Sequence, residues 1–203
     1  KKLGTKAYGF VSDVGNMADI LQLQQQVVRF MPKIDILFAN AGYGKFAPVE
    51  EVTETLFDEL FNVLVKGTFF TVQQLLPIIN KGGSIIFNTS VVTEYGSQNA
   101  SVYSAAKAAV QSFVKTFASE FTAKTIRVNA ISPGYTETNG FNKTGLSQEQ
   151  ISDVIQFIVP SLPFKRFAQP SEIAQAVSFL ASDNASYIHA TEIIADGGYI
   201  NIK

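Results

Sequence analysis

The 203-residue chain carries 16 basic and 17 acidic residues, a formal net charge of −1, which leaves no charge excess for holding nucleic acid or an anionic membrane. With 46% hydrophobic and 16% charged residues it suits one domain with a sizeable core, and no apolar run approaches the roughly 18 residues of a membrane span or the core of a signal peptide, which points to a cytoplasmic protein. Zero cysteines exclude disulfides, thiolate metal sites and a Cys nucleophile, and a single histidine leaves almost no material for His-based triads or metal sites.

Residues 7–14 read as a short apolar strand ending on Asp13 and Val14, and Asp13 suits a cap for the helix that follows. That helix is expected over 16–30, where Ile20, Leu21, Leu23, Val27 and Val28 recur at helical spacing, and Pro32-Lys33 ends it. A buried strand from Ile34 then runs into the small-residue turn Asn40-Ala41-Gly42. Gly42-Tyr43-Gly44 is not a phosphate loop, because no third glycine or helix start follows in register. Residues 50–77 read as one long helix with Leu56, Leu60, Val63, Leu64 and Val65 on its apolar side.

The next strand, 82–88, ends at Thr89-Ser90, and the loop 91–99 with Tyr95 and Gly96 is expected near a substrate. Residues 101–121 read as a helix. Tyr103 and Lys107 stand at i and i+4 on it and so share a face. A phenol titrates near ~10 when unperturbed, and an ammonium about one turn away lowers that value. A tyrosine tuned in this way can exchange a proton with a substrate oxygen, and Ser90 alongside could hydrogen-bond the same oxygen. Taken alone, the spacing reads first as a solvated helix face, as Tyr/Lys pairs at i and i+4 do on many helices.

Residues 125–131 form a further buried strand, followed by the turn signal Ser132-Pro133-Gly134 and then Tyr135-Thr136-Glu137-Thr138. The polar stretch with Gly140, Asn142, Lys143 and Gly145 precedes a helix over 148–159, and a lid over the substrate is expected there. Pro170 suits a helix start and Glu172 a cap or ion-pair partner in its first turn. An amphipathic helix over 173–180 and a closing strand and turn at 192–198 complete the chain; His189 reads as a packed or surface side chain, not a ligand. Strands alternating with helices imply an α/β fold with a parallel sheet covered on both faces.

The closing of an apolar strand by Asn88-Thr89-Ser90, with Ser90 thirteen residues before Tyr103-Ser-Ala-Ala-Lys107, resembles the short-chain dehydrogenase/reductase family. Phe164 to Glu172 resembles that family's Arg-x-x-x-Pro-x-Glu stretch, and Ala39-Asn40-Ala41-Gly42 its Asn-Asn-Ala-Gly turn with Ala39 in place of the first Asn. The resemblance implies a doubly wound, Rossmann-like parallel sheet and an oxidoreductase that uses NAD or NADP on a small-molecule carbonyl/alcohol couple. It makes Tyr103 the general acid/base, sets Ser90 on the substrate oxygen, and gives Lys107 two tasks, lowering the Tyr103 pKa and holding the nicotinamide ribose. Pro133, Gly134, Thr136 and Thr138 then position the nicotinamide, Asn40, Ala41 and Gly42 bring backbone to the cofactor, and Asp13 and Val14 contact the adenine. It also implies a homodimer or homotetramer paired through the helices at 50–77 and 101–121. Phe57, Phe61, Phe69, Phe70, Phe113 and Phe117 offer more apolar surface there than one sheet face needs.

Two departures qualify these expectations. Leu64 stands where the family has a catalytic Asn that helps hold a water joining the Lys to solvent; Asn62, two residues away, points to nearly the opposite side of a helix. If that relay matters, Leu64→Asn raises kcat; if nearby backbone or another water completes it, the change only costs stability. The second departure is that no glycine-rich turn precedes Asp13, so the counterpart of the family's first βαβ unit is absent from the sequence and the sheet is expected to be incomplete. Either the chain continues upstream into that unit or it evolved without it. The strand at 7–14 must then slide over, detach or pair elsewhere, and the 203 residues by themselves are expected to bind NAD(H) or NADP(H) poorly. The alternative reading is a family member that has lost efficient turnover and acts as a binding or scaffold subunit. A hydrolase using Ser90 is excluded, since the one histidine lies 99 residues on in a different motif.

Overall fold

The structure, a computed structural model of the chain, describes residues 6–138 and 147–202. Within them β1 (Ile34–Ala39), β2 (Ile79–Asn88), β3 (Arg127–Pro133) and β4 (Glu192–Ala195) form one parallel sheet in that order. Ala39 pairs with Phe87, Asn88 with Ile131 and Pro133 with Ala195, so the chain leaves all four strands at the same edge of the sheet. Helices supply the returns that parallel strands require. Between β1 and β2 run α2 (Glu54–Phe61), a π-helical turn (Asn62–Gly67) and α3 (Thr68–Leu75). Between β2 and β3 runs α4 (Ser101–Phe121), and between β3 and β4 come α5 (Gln148–Ile158) and α6 (Pro170–Ala181). α1 (Met17–Phe30) precedes β1 and packs on α3.

Successive side chains of a strand point to opposite faces, and here both faces of β2 and β3 are covered. Ile85, Phe87, Val128 and Ala130 pack under Val110, Val114 and Phe117 of α4. Ile86 and Ile131 face the other way, onto Leu180 and Val177 of α6. Ile85, Ile86 and Phe87 are consecutive and all fully buried, which explains the unbroken apolar run of this strand. Each such side chain contributes roughly 1.5–3 kcal/mol by leaving water. On β1 only one face is covered: Ile36 and Phe38 remain 50% and 37% exposed, and β1 is an edge strand among the described residues.

Residues 7–14 do not form the expected strand. The segment lies outside the sheet and runs along α1. Phe10 joins the apolar cluster of Val27, Leu75 and Ile78, and the Tyr8 and Phe10 rings lie 4.9 and 5.8 Å from Phe30. The single helix expected over 50–77 is also not continuous α-helix. The π-helical turn interrupts it, and Gly67 closes that turn where a Cβ would lie 2.3 Å from the Val14 carbonyl oxygen. Extra residues in a π turn shift the register of every side chain beyond it, and such turns occur frequently at functional sites.

The six phenylalanines divide. Phe117 is core, Phe69 and Phe113 pack against that core, and Phe57 is 44% exposed and stacked on Phe61 at 4.6 Å. No helix among the described residues is long and apolar enough to cross a membrane. The polar stretch where a lid was expected, 139–146, lies outside the described residues.

Candidate active site

The sheet edge from which all strands exit carries a cleft of about 420 Å³. Asn40, at the end of β1, and Asn88, Thr89 and Ser90, at the end of β2, line it. So do Tyr103 from the first turn of α4, Pro133, Gly134, Thr136 and Thr138 after β3, and an apolar wall of Phe38 with Pro170, Ile173, Ala174 and Val177. Seven of the residues singled out in the sequence thus meet in one place. Asp13, Val14, Ala41, Gly42 and the buried Lys107 are not among its lining residues.

α4 begins at Ser101, just after Asn99 in a left-handed conformation (φ 63°) turns the chain. Its first turn brings Tyr103 against Leu60, Leu64, Val102 and Ala106. The Phe46 ring stands edge-on to the Tyr103 ring at 5.5 Å and fixes the other side of it. Ser90 caps the short 3-10 turn Val91–Thr93, and its hydroxyl faces the Tyr103 phenol closely enough to favour the ionised form. Lys107, one turn on, is 6% exposed and donates from Nζ to the Asn88 carbonyl oxygen at 2.7 Å. The Asn88 side chain in turn donates to Asn40 Oδ1 at 2.8 Å, tying the ends of β1 and β2 together.

The electrostatics correct one expectation. Burial pushes the Tyr103 phenol above its ordinary 10, and the Ser90 hydrogen bond pulls the other way without reversing it. The Lys107 ammonium is turned to the Asn88 carbonyl, 5.8 Å from the centre of the Tyr103 ring, and does not offset that burial. Burial alone brings Lys107 down to about 8. At neutral pH the site therefore holds a protonated phenol beside a largely protonated ammonium.

After β3, Gly134 donates its N–H to the Ala195 carbonyl oxygen at 3.0 Å, and a Cβ there would sit 2.8 Å from Asp196 Cα, so only glycine seats this turn against β4. Thr136 Oγ1 donates to the Gly134 carbonyl at 3.0 Å and closes the turn. Glu172 caps and pairs as expected: it accepts from the Gln169 N–H at 2.7 Å and from both Arg166 Nη atoms at 2.7 and 2.8 Å. His189 is an exposed side chain held in place by hydrogen bonds, with Nδ1 accepting from the Val128 N–H at 3.0 Å and Nε2 3.2 Å from the Ala118 carbonyl oxygen. Among the described residues no group of three or more His, Cys, Asp or Glu side chains could hold a metal ion.

Asp13 belongs to a turn. Its Oδ1 accepts from Gly15 N at 2.8 Å and its carbonyl from Asn16 N at 3.0 Å, while Asn16, not Asp13, caps α1 by accepting from Ala18 N. The turn Asn40-Ala41-Gly42 rests on Leu64, whose Cδ2 would be 2.5 Å from a Cβ on Gly42. Gly42-Tyr43-Gly44 is anchored away from any phosphate role, with Tyr43 donating to Glu59 and Lys45 paired to Glu59 at 2.7 Å. Leu64 itself is 1% exposed among apolar side chains. An Asn there buries an amide without partners, so Leu64→Asn is expected to cost about 1–3 kcal/mol of stability and to leave turnover unimproved. A thermal melt and kcat of the variant, taken together, check this; a raised kcat overturns it.

Sequence reasoning missed Asn88 and Phe46. Asn88 acts through its backbone oxygen, which no residue type announces, and Phe46 reaches Tyr103 only through the loop after β1.

Residues 1–200 match the family model described as enoyl-(acyl carrier protein) reductase. The chain is 35% identical over 195 residues to an uncharacterized oxidoreductase of Methylorubrum extorquens, covering 96% of this chain and 77% of the relative. It is 34% identical over 193 residues to a 3-oxoacyl-(acyl-carrier-protein) reductase of Thermotoga maritima, covering 94% and 76%. The fold superposes on the crystal structure of the angucycline C-6 ketoreductase LanV with bound NADP at a TM-score of 0.86 and 30% identity, covering 97% of this chain and 77% of that one.

Proposed function

The chain belongs to the short-chain dehydrogenase/reductase family of oxidoreductases, and from that premise we propose that it interconverts a small-molecule carbonyl and its alcohol with NAD(H) or NADP(H), Tyr103 passing the proton. The observation that carries the reading is the convergence of Ser90, Tyr103 and Lys107 at the exit edge of a parallel sheet, where open α/β sheets bind their ligands.

The donor set fits the nicotinamide-ribose half of such a cofactor. The Lys107 ammonium spends one N–H on Asn88 and has two more, and Asn88 Oδ1 is a buried acceptor without a partner. Lys107, Asn88 and the Pro133–Thr138 turn would hold that half. Among the described residues nothing offers a glycine-rich turn to a pyrophosphate, so this chain's own affinity for the dinucleotide is expected to be weak. Bound, the cofactor supplies or takes up the hydride. The protein's part is placement and the proton. Ser90 donates to the substrate oxygen and holds it at Tyr103. In reduction Tyr103 gives its proton to that oxygen, a task that suits a phenol kept protonated by burial; in oxidation it takes the proton back. The Phe38, Ile173, Ala174 and Val177 wall excludes water from one side of the cleft.

In the same reading the protein works as a homodimer or homotetramer, with the exposed Phe57–Phe61 stack at a subunit contact. The test is size fractionation with light-scattering detection, followed by assay of each fraction with carbonyl compounds at millimolar NADH or NADPH. Consumption of reduced nicotinamide in a fraction larger than the monomer is expected. Absence of turnover with either cofactor favours the scaffold reading instead.

A further inference from the structure

The row of α4 that holds Tyr103 and Lys107 does not stop at Lys107. Gln111 follows at the next i+4 step on the same face. Its amide carries two N–H donors, and both go to carboxylates: one to Glu192 Oε2 at 2.6 Å, the other to Glu94 Oε1 at 3.1 Å. Glu192 opens β4, and its other oxygen lies against the Thr89 hydroxyl. That hydroxyl is also 2.8 Å from the Ile131 carbonyl oxygen, but the carbonyl already accepts the Thr89 N–H at 2.9 Å. The Thr89 hydroxyl thus has two acceptors, the Ile131 carbonyl and the Glu192 carboxylate, of which the charged one is the stronger.

Ser90 sits between the two ends of this arrangement. Thr89 precedes it, and the turn Val91–Thr93 with Glu94 follows. The Thr93 hydroxyl donates to the Ser90 carbonyl at 2.9 Å and the Glu94 N–H to the Val91 carbonyl at 2.9 Å. The only backbone contact of the Ser90 hydroxyl within its own turn is with Val92 N at 3.4 Å, too long to hold it firmly. The position of Ser90 is thus set by the backbone on either side.

We propose that Glu192 and Gln111 are positioning residues for Ser90, forming with Thr89 and Glu94 a clamp that fixes the segment 89–94 against α4. The proposal rests on the reading that Ser90 holds the substrate oxygen. Among the described residues no cation lies within ion-pair reach of Glu192, so its charge is met by the Thr89 and Gln111 donors, and removing it leaves Thr89 only the Ile131 carbonyl and Gln111 only Glu94, which unties β4 from the segment.

The test pairs kinetics with hydrogen exchange on Glu192→Ala and Gln111→Ala. Each is expected to lower kcat about tenfold, the scale of a sub-ångström misplacement, with the KM for the cofactor unchanged. The amides of Thr93 and Glu94 should exchange about tenfold faster while those of Val110 and Val114 in α4 keep their protection. Glu192→Gln, of equal size but with one acceptor in place of two, is expected to fall between Glu192→Ala and wild type. Faster exchange with an unchanged kcat overturns the positioning role, and so does a lower kcat with unchanged exchange. Gln111 is half-buried at the helix surface, so its variant decides if Glu192→Ala does not fold. A wild-type protein without turnover refutes the reductase reading on its own, and the exchange rates then decide whether the clamp holds the segment.

Discussion

Tyr103→Phe is expected to lower kcat by about 10²–10⁴-fold, the usual worth of a positioned acid/base, and to leave the melting temperature near that of wild type. The ring keeps every packing contact: the Phe46 edge at 5.5 Å and the cluster of Leu60, Leu64, Val102 and Ala106 are indifferent to the hydroxyl. What disappears is the hydroxyl that faces Ser90, and with it the proton. Because burial, not a neighbouring charge, holds the phenol protonated, no shift of pH within the neutral range substitutes for the lost group. Steady-state kinetics in the reductive direction with a parallel thermal melt check both halves. Wild-type turnover in the variant would hand the proton step to another group and remove the central claim.

How much of this could be read in the sequence depends on whether an element's determinants are local. α4 was legible to the residue over 101–121, because its apolar spacing and its Tyr/Lys pair lie within the helix itself. β2 was read too short, from 82, since Gly82-Gly83 resembles turn punctuation. The strand starts at Ile79, and Gly83 is there because a Cβ would stand 2.9 Å from the Asp35 carbonyl oxygen of β1. Residues 7–14 have strand composition, but Phe10 packs against Val27 and Leu75 of α1 and α3 and the open edge of β1 is left unpaired. The π-helical turn has no composition of its own; its one visible mark is Gly67, whose necessity comes from Val14.

The site divides in the same way. Ser90, Tyr103 and Lys107 fall within one strand–loop–helix unit and carry their chemistry in their side chains, so spacing reveals them. The bond from Lys107 to the Asn88 backbone oxygen, and the burial that holds Tyr103 above its ordinary range, depend on how the strand and helix pack and leave no mark in the spacing. Gln111 and Glu192 are 81 residues apart and meet only because β4 lies beside β3.

Lys107→Met is expected to separate function from stability. Turnover should fall by about 10²–10⁴-fold, as for its neighbour in the proton path, with a higher KM for the nicotinamide cofactor. Stability at pH 7 should not fall with it. A lysine brought by burial from its ordinary 10.5 to about 8 disfavours the folded state by about 3 kcal/mol, at about 1.4 kcal/mol per pH unit. Loss of the charged hydrogen bond to Asn88 returns about 1.5–3 kcal/mol of that, so the Met variant should match wild type or exceed it by about 1 kcal/mol, as often follows when a buried charge gives way to an apolar side chain. The pH dependence fixes the cause. Between pH 8 and 10.5 the unfolded chain keeps a proton that the folded chain has released, so wild-type stability rises through this window. The variant has no such group, and its advantage should close as pH climbs towards 10.5. Urea unfolding of both proteins at pH 7 and pH 10 measures the gap. A gap that does not change with pH removes the buried charge as its source, and unaltered turnover removes Lys107 from the site.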